Sequence, residues 1–217
     1  MNRLSPPELE ALIEVVETNG GQVSYKRNPD GSDSPYELNI TYVDAILADQ
    51  ESVRADKFLA AQAIQYALPG VPATYIHSLL GSRNWTAGVK QTGRARTVNR
   101  EKLQVKEVLK ELNDPQSFRS QIFFPYINLI KTRRKQPAFH PNADFEILDM
   151  GPKVFGIRRS SDDQTIYALT NISSSEAKVS IPNIETAKSM TDLPSGKSLA
   201  PDNLTLIPYQ YVWLTAN

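Results

Sequence analysis

The sequence predicts a mixed α/β segment over residues 1–137, followed by an antiparallel β-domain over residues 138–217. Long stretches of the first part carry apolar residues at helical spacing, and one short apolar run there is typical of a buried parallel strand. From about Asp144 the apolar residues recur at every second position instead. One strand among several helices does not complete an α/β domain, so we expect the first part to be a slice of a larger one.

The first helix is predicted from Ser5 to Gly20. Ser5 suits the N-cap, Pro6 is tolerated at the first helical position, and Glu8 lies three residues after Ser5, as in a capping box. Apolar spacing predicts further helices over Ser52–Ala67, Arg100–Leu112 and Ser117–Arg134.

Short apolar runs between turn-forming residues predict the strands. Val71–Ile76 is the run expected to form a buried parallel strand, and it leads into a polar loop over His77–Arg100. Asn28–Pro35 is rich in Gly, Pro, Asp and Ser and is predicted to be a loop. The strands expected in the second part are Val154–Arg158, Thr165–Leu169, Lys178–Ile181, Leu204–Ile207 and Tyr211–Leu214. Their short, regular spacing predicts an antiparallel sheet or sandwich.

Composition excludes several classes of function. The 217 residues carry 24 basic and 24 acidic side chains, and this balance argues against a nucleic-acid-binding protein. The absence of cysteine excludes disulfides, thiolate nucleophiles and cysteine-ligated metals. No apolar stretch approaches the ~20 residues of a membrane span, and the N-terminus has no signal-peptide pattern, so we expect no membrane partner and a cytoplasmic location.

Few residues in the chain indicate a catalytic site. His77 and His140 are the only histidines, and no serine lies in a nucleophile-elbow pattern, so a Ser-His-Asp site has little support. We interpret His140 as a packing residue at the domain junction. His77 follows the predicted strand, where α/β barrels place functional residues, and both a site role and a structural role stay open. The acidic residues do not follow apparent barrel strands, as a glycosidase carboxylate pair would.

Three arginines lie close together in Gly93–Arg100 (GRARTVNR). One interpretation is a solvated loop in which Asn99 caps the next helix. The other is a clamp on sugar hydroxyls or phosphate, because a planar guanidinium donates paired hydrogen bonds.

One long stretch carries a resemblance to a known family. Leu68–Lys102 reads LPGVPATYIHSLLGSRNWTAGVKQTGRARTVNREK. Its opening resembles the eighth barrel strand of the α-amylase superfamily, and its continuation resembles the sucrose-phosphorylase-like branch. Within that branch it is most similar to members acting on glucosylglycerate, glucosylglycerol or phosphorylated sucrose.

Other stretches resemble the same family in the same order. Ser34–Asn39 and Tyr42–Ala45 are similar to the mobile loop and helix entry that shape its acceptor site. Leu169–Ser173, Asp192–Gly196 and Leu206–Leu214 are similar to its C-terminal β-domain. The resemblance implies the C-terminal slice of a TIM (β/α)8 barrel over residues 1–137 and an antiparallel β-sheet or sandwich domain over residues 138–217.

The resemblance also implies an activity and a set of site residues. The family transfers glucose by retaining double displacement, and its phosphorylases release α-glucose 1-phosphate. Its catalytic carboxylates lie upstream of the segment matched here, so no catalytic residue is assigned and the chain alone is expected to be inactive. The substrate-binding candidates are Arg96, Tyr36, Glu37, His77 and Arg83, and Glu37 stands where sucrose phosphorylases have Gln.

The implied partners are an α-glucoside, phosphate and the N-terminal half of the barrel, with no metal or organic cofactor. Apolar helix faces that the missing strands would cover are expected to favour self-association. Two alternatives are a fragment of an amylase-type hydrolase and a stand-alone carbohydrate-binding or interaction module. The second would need exposed aromatic residues on the β-domain, whereas Tyr209, Tyr211 and Trp213 alternate like one strand face and are predicted to be core.

Overall fold

The computed structural model describes residues 4–46, 51–181, 184, 189–201 and 204–216. Its α-helices are α1 (Pro6–Thr18), α2 (Tyr42–Ala45), α3 (Glu51–Ala67), α4 (Ile76–Leu79), α5 (Thr86–Thr92), α6 (Val105–Leu112) and α7 (Phe118–Arg133). Two 3₁₀ helices span Ala95–Asn99 and Pro137–Phe139. The strands are β1 (Gln22–Arg27), β2 (Asp33–Asn39), β3 (Asp144–Leu148), β4 (Val154–Ser161), β5 (Gln164–Asn171), β6 (Ala177–Val179), β7 (Met190–Asp192), β8 (Ser198–Leu199), β9 (Leu204–Leu206) and β10 (Tyr211–Ala216).

The chain forms two compact units. The first contains Met1–Arg54 and Thr74–Phe123, and the second contains Ala55–Ala73 and Phe124–Asn217. Each unit combines two separate ranges of the chain, so this division differs from one with a single boundary near residue 137. The division into a barrel segment over residues 1–137 and a β-domain over residues 138–217 stays a prediction.

Helix α1 begins as its sequence predicts. The Ser5 backbone amide donates to Glu8 Oε2 at 2.7 Å, and the complete capping box is present. Backbone and side-chain hydrogen bonds from Ser5 lower the pKa of Glu8. The helix ends at Thr18, followed by Asn19 and by Gly20 at φ 75°.

A β-hairpin replaces the last three residues of the loop predicted over Asn28–Pro35. Strands β1 and β2 pair antiparallel from Gln22 opposite Asn39 to Arg27 opposite Asp33, with a register shift between Ser24 and Tyr25. Only the tip, residues 28–32, is a turn. The loop prediction was therefore wrong at its C-terminal end, because pairing with β1 holds Asp33–Pro35 in the extended conformation.

Val71–Ile76 does not form the predicted strand. Residues 71–75 have no regular secondary structure, Ile76 begins α4, and the Val71 side chain is 84% exposed. A parallel strand needs neighbouring strands for its hydrogen bonds, and the described part of the chain places none beside this segment. The polar loop predicted over His77–Arg100 is also more regular than expected, since it contains α4, α5 and a 3₁₀ helix.

In the second unit, α3 and the C-terminal part of α7 share a buried aromatic cluster. The Tyr126 ring packs edge-on against Phe58 and Tyr66, with centroid distances of 6.1 and 5.7 Å. The Tyr126 hydroxyl donates to Gln62 Oε1 at 2.6 Å, which satisfies two polar atoms inside this cluster. Helix α7 tolerates Pro125 in its interior.

The β-region contains a six-stranded sheet in the order β3-β4-β5-β10-β7-β8 and a two-stranded sheet of β6 and β9. Neighbouring strands are antiparallel, as the sequence predicts. The two sheets share one apolar core, made of Leu148, Val154, Tyr167, Leu169, Ala177, Val179, Ile181, Met190, Leu204, Leu206, Val212 and Leu214. Trp213 is fully buried on the opposite face and packs edge-on against Phe139 at 4.8 Å.

Two packing predictions need correction. Tyr209 lies before β10 in a turn, and Tyr209 and Tyr211 are only partly buried, so only Trp213 of the three aromatics is core. The exposed ring of His140 also contradicts a packing role, and it is the backbone carbonyl of His140 that accepts a hydrogen bond from Arg159 Nη2. Among the helices of the described residues, none combines the length and apolar character that crossing a bilayer requires.

Candidate functional site

Three of the predicted site residues meet in the first unit. Strand β2 carries Tyr36 and Glu37, and the first 3₁₀ helix carries Arg96. Arg96 Nε donates to Glu37 Oε2 at 2.8 Å, across 59 positions of sequence. The Arg96 side chain is 54% exposed, so the pair is open to a ligand. Hydrogen bonding to Glu37, then the charge of that carboxylate, raises the pKa of Arg96, so its guanidinium stays charged.

The turn that carries Arg96 is held by bonds on both sides. The Trp85 amide donates to the carbonyl of Val98 at 2.7 Å, and Val98 is buried. The hydroxyls of Thr92 and Thr97 lie 2.8 Å apart. The proposed Asn99 cap is not formed, because Asn99 ends the 3₁₀ helix and α6 begins at Val105. Arg96 is thus placed on a fixed turn.

His77 lies in a separate small cavity of about 170 Å³. The residues lining it are Ile40, Thr41, Tyr42, Val43, Tyr75, His77, Ser78, Ser82 and Asn99. His77 Nδ1 is 3.2 Å from Ser82 Oγ, and the Tyr75 ring is 5.3 Å from the imidazole. Burial, assisted by Arg119 and opposed by Glu101, lowers the pKa of His77, which favours a neutral imidazole able both to donate and to accept.

Arg83 is held by a carboxylate that the sequence analysis did not single out. Asp44 is buried, and its oxygens accept from Arg83 Nε, from the Asn84 amide at 2.6 Å and from Thr41 Oγ1 at 3.1 Å. Arg54 Nη1 lies 3.8 Å from the same carboxylate. The position of Arg83 is therefore set by this ion pair.

Asp44 and Asn84 are structural residues that sequence reasoning missed. Asn84 Oδ1 accepts from the Thr41 amide at 2.8 Å, and Asn84 Nδ2 donates to the Asn19 carbonyl at 3.0 Å. This ties the segment after α1 to the segment before α2. The pattern Thr41-x-x-Asp44 could have indicated the role of Asp44, because an acid at that spacing suits a helix start. The hydrogen bonds of Asn84 reach Asn19 and Thr41, which are distant in sequence, so no local pattern indicates them.

The geometry can bind polar groups, but it shows no metal centre. Within the described ranges, His, Asp and Glu side chains do not gather in threes that could hold a metal ion. Arg96 with Glu37 and Tyr36 offers a charged donor, an acceptor and an aromatic edge, whereas His77 and Arg83 have their own partners. This set suits hydroxyl or anion binding.

Comparison with known proteins gives named relatives, although no family model matches the chain. The chain is 41% identical to the glucosylglycerate phosphorylase of Spirochaeta thermophila, over 95% of this chain and 38% of that protein. It is 38% identical to the glucosylglycerate phosphorylase of Escherichia coli, over 97% of this chain and 38% of that protein. The chain therefore spans well under half the length of the curated relatives that it matches.

A solved structure supports the fold. The crystal structure of a sucrose 6F-phosphate phosphorylase from Thermoanaerobacter thermosaccharolyticum matches with a TM-score of 0.66 and 21% identity, covering 94% of this chain and 37% of that one. The chain has the fold of the C-terminal part of such enzymes, with helices followed by antiparallel sheets. The resemblance read from Leu68–Lys102 is confirmed.

Proposed function

Because the chain belongs to the sucrose-phosphorylase-like branch of the α-amylase superfamily, we propose that it is the C-terminal portion of a retaining α-glucoside phosphorylase. The observation that carries this proposal is the similarity to two glucosylglycerate phosphorylases over nearly the whole chain. We propose the same substrate class for the complete enzyme, an α-glucoside of glycerate. We also propose that the complete enzyme is cytoplasmic.

The reaction proceeds in two displacements. A carboxylate nucleophile attacks the anomeric carbon, and the glycerate oxygen leaves with a proton from a general acid. A phosphate oxygen then attacks the glucosyl-enzyme while the same acid/base group takes back a proton, so that α-glucose 1-phosphate forms with retained configuration. Both carboxylates belong to the upstream part of the family's barrel, and without them this chain alone is inactive.

The contribution of this chain is binding and positioning. Arg96 is the proposed contact to the donor glucose, and its bond to Glu37 uses one N–H and leaves others for a ligand. A fixed guanidinium also favours phosphate over neutral water as the second-step acceptor. Tyr36, Glu37, His77 and Arg83 complete the proposed substrate-binding set.

Exposed apolar side chains support an origin within a larger barrel. Val71 is 84% exposed, and Tyr75 and Ile76 are about half exposed (48% and 54%). In the complete enzyme we propose that upstream barrel strands cover Val71–Ile76, and that the chain alone self-associates through such surfaces.

A chimera tests the proposal. The chain replaces the corresponding C-terminal segment of the Escherichia coli glucosylglycerate phosphorylase, and release of glucose 1-phosphate from glucosylglycerate is measured with and without phosphate. Phosphate-dependent release by the chimera, together with no release by the chain alone, is the expected result. A folded chimera that released only free glucose would favour the hydrolase alternative, and release by the isolated chain would contradict the assignment of the carboxylates.

A further inference from the structure

The second unit contains a cleft outside the candidate site. Its volume is about 690 Å³, within the roughly 300–1,000 Å³ of small-molecule sites. Among the residues that line this Tyr209 cleft are Asp56, Asp192, Lys197, Tyr209, Gln210 and Tyr211. Most of the lining is apolar or aromatic, with a small number of polar groups, as in many ligand sites.

Tyr209 occupies a backbone position that favours glycine. It has φ 58°, in a turn closed by a 3.1 Å bond from the Gln210 amide to the Ile207 carbonyl. Pro208 lies at the second position of this turn, and a positive φ at the third position is what type II turns require. A bulky residue is strained at such a backbone position, and strain of this kind concentrates at ligand sites. Within the described residues, Tyr209 is the only non-glycine residue with positive φ.

The strained turn directs the Tyr209 ring into the wall of the cleft. Lys57 Nζ lies 5.1 Å from the centre of this ring. The Gln210 side chain completes the turn, because its Oε1 accepts from the Ile207 amide at 2.9 Å. The turn therefore fixes the position of the ring, and Lys57 lies over one of its two faces.

Two polar groups in the cleft lack partners. In the part of the chain that the structure describes, the Asp56 carboxylate and the Tyr211 hydroxyl make no hydrogen bond or ion pair. Burial raises the pKa of Asp56 and, with the charges of Asp192 and Asp56, raises the pKa of Tyr211 to about 12. Asp56 is exposed to solvent, whereas the half-buried Tyr211 hydroxyl has no partner in the described residues, so a ligand that supplies hydroxyls would give both groups a hydrogen-bond partner.

The remaining polar groups keep the cleft in shape. Asn128 Nδ2 donates to the Pro194 carbonyl at 2.8 Å, and Asp192 accepts from the Trp213 amide at 2.9 Å and from the Ser195 hydroxyl. These bonds fix the walls before any ligand arrives, which reduces the entropic cost of binding.

We propose that the Tyr209 cleft binds a neutral sugar ring, which stacks on Tyr209 and hydrogen-bonds to Asp56 and Tyr211. An apolar ligand would leave the half-buried Tyr211 hydroxyl unpaired and would desolvate the Asp56 carboxylate. The carboxylates of Asp56 and Asp192 are matched by the ammonium groups of Lys57 and Lys197, so the cleft favours neither an anion nor a cation. A sugar has both an apolar C–H face for the ring and hydroxyls for the two oxygens. This site shares no residue with the Arg96 site and does not depend on the proposed phosphorylase activity.

Titration of the chain with maltose tests the proposal. Saturable binding is expected, and Tyr209→Gly should weaken it at least about tenfold, because this variant removes the ring on which the sugar stacks. Glycine suits φ 58°, so this variant removes the ring without disturbing the turn, and its unfolding temperature should stay close to that of the parent. Tyr211→Phe and Asp56→Asn each remove one hydrogen-bonding function and should weaken binding severalfold.

Arg94→Ala, in the first unit, is the matched control and should leave maltose affinity unchanged. The proposal is overturned by absence of saturable maltose binding, by equal affinities of the parent and a folded Tyr209→Gly variant, or by binding of adenosine, a neutral ligand with an aromatic base, in preference to maltose.

Discussion

The guanidinium of Arg159, on β4, donates a 3.0 Å hydrogen bond from Nη1 to the carbonyl of Ala67, the last residue of α3. Arg159 is fully buried, and its Nη2 also donates to the His140 carbonyl at 2.8 Å. The last turn of α3 has no basic residue of its own. A cation from a distant strand therefore complements the negative end of this helix.

We predict that Arg159→Met lowers the free energy of unfolding by about 3 kcal/mol, because two charge-assisted bonds are lost and the carbonyl of the buried Ala67 loses its side-chain donor. Arg158→Met is the matched control on the same strand. Arg158 pairs with Glu146 at 2.8 Å on the surface, and such pairs contribute under about 1 kcal/mol. Urea denaturation measures both, and equal losses would contradict the role given to Arg159.

The contact of Arg96 with Glu37 leads to a prediction about substrate binding. In the chimera, Arg96→Ala should lower kcat/KM for phosphorolysis by about 10- to 1,000-fold. Arg96→Lys should not restore it, because a point charge cannot reproduce the planar fork. Arg94 is exposed and should tolerate alanine. Similar activities for the three variants would mean that the turn is only scaffold.

Gly88 leaves no room for a side chain beside Trp85. A Cβ at this position would lie 2.2 Å from the Trp85 ring, and the Trp85 amide holds the turn that carries Arg96. Gly88→Ala should therefore cost about 1–3 kcal/mol of stability. Gly93→Asn is the control, since nothing lies within 4 Å of its Cβ and Asn tolerates φ 66°. Thermal unfolding compares them, and a Gly88→Ala variant as stable as the parent would show that the ring can move at little cost.

His77 should make stability depend on pH. Burial lowers its pKa in the folded state below the ordinary value of about 6.5, so the unfolded chain binds more protons between the two values. The stabilising contribution is present above about pH 6.5 and is lost as the pH falls through the folded pKa. When the pH is lowered from 7.5 to 5, the unfolding temperature of the parent should therefore fall relative to that of His77→Gln. A constant difference over this range would refute the prediction.

Local patterns predicted several elements correctly. The capping box of Ser5 and Glu8 gave the start of α1, and apolar spacing gave both ends of α3 and α7 to within one residue. Alternating residues gave the central strands β4, β5 and β10. These signals depend on neighbours within a few positions, so they are visible before folding.

Other elements depended on partners that sequence reasoning did not identify. The hairpin of β1 and β2 has mostly exposed or half-exposed residues, so no strict alternation marks it. Val71–Ile76 has the composition of a strand, but strand structure requires a neighbour, and the described chain supplies none. Over residues 1–137, composition therefore predicted one strand that does not form and missed the two strands of the hairpin.

For this protein, the sequence by itself determined the family resemblance, the change from helical to alternating pattern and the residue types of the Arg96 turn. Only the tertiary structure decided which side chains meet. Arg96 with Glu37, Arg83 with Asp44 and Arg159 with Ala67 are separated by 59, 39 and 92 positions. Each pair depends on the packing of separate elements, because hydrogen bonds form only within about 3.5 Å, a distance that no spacing along the chain encodes.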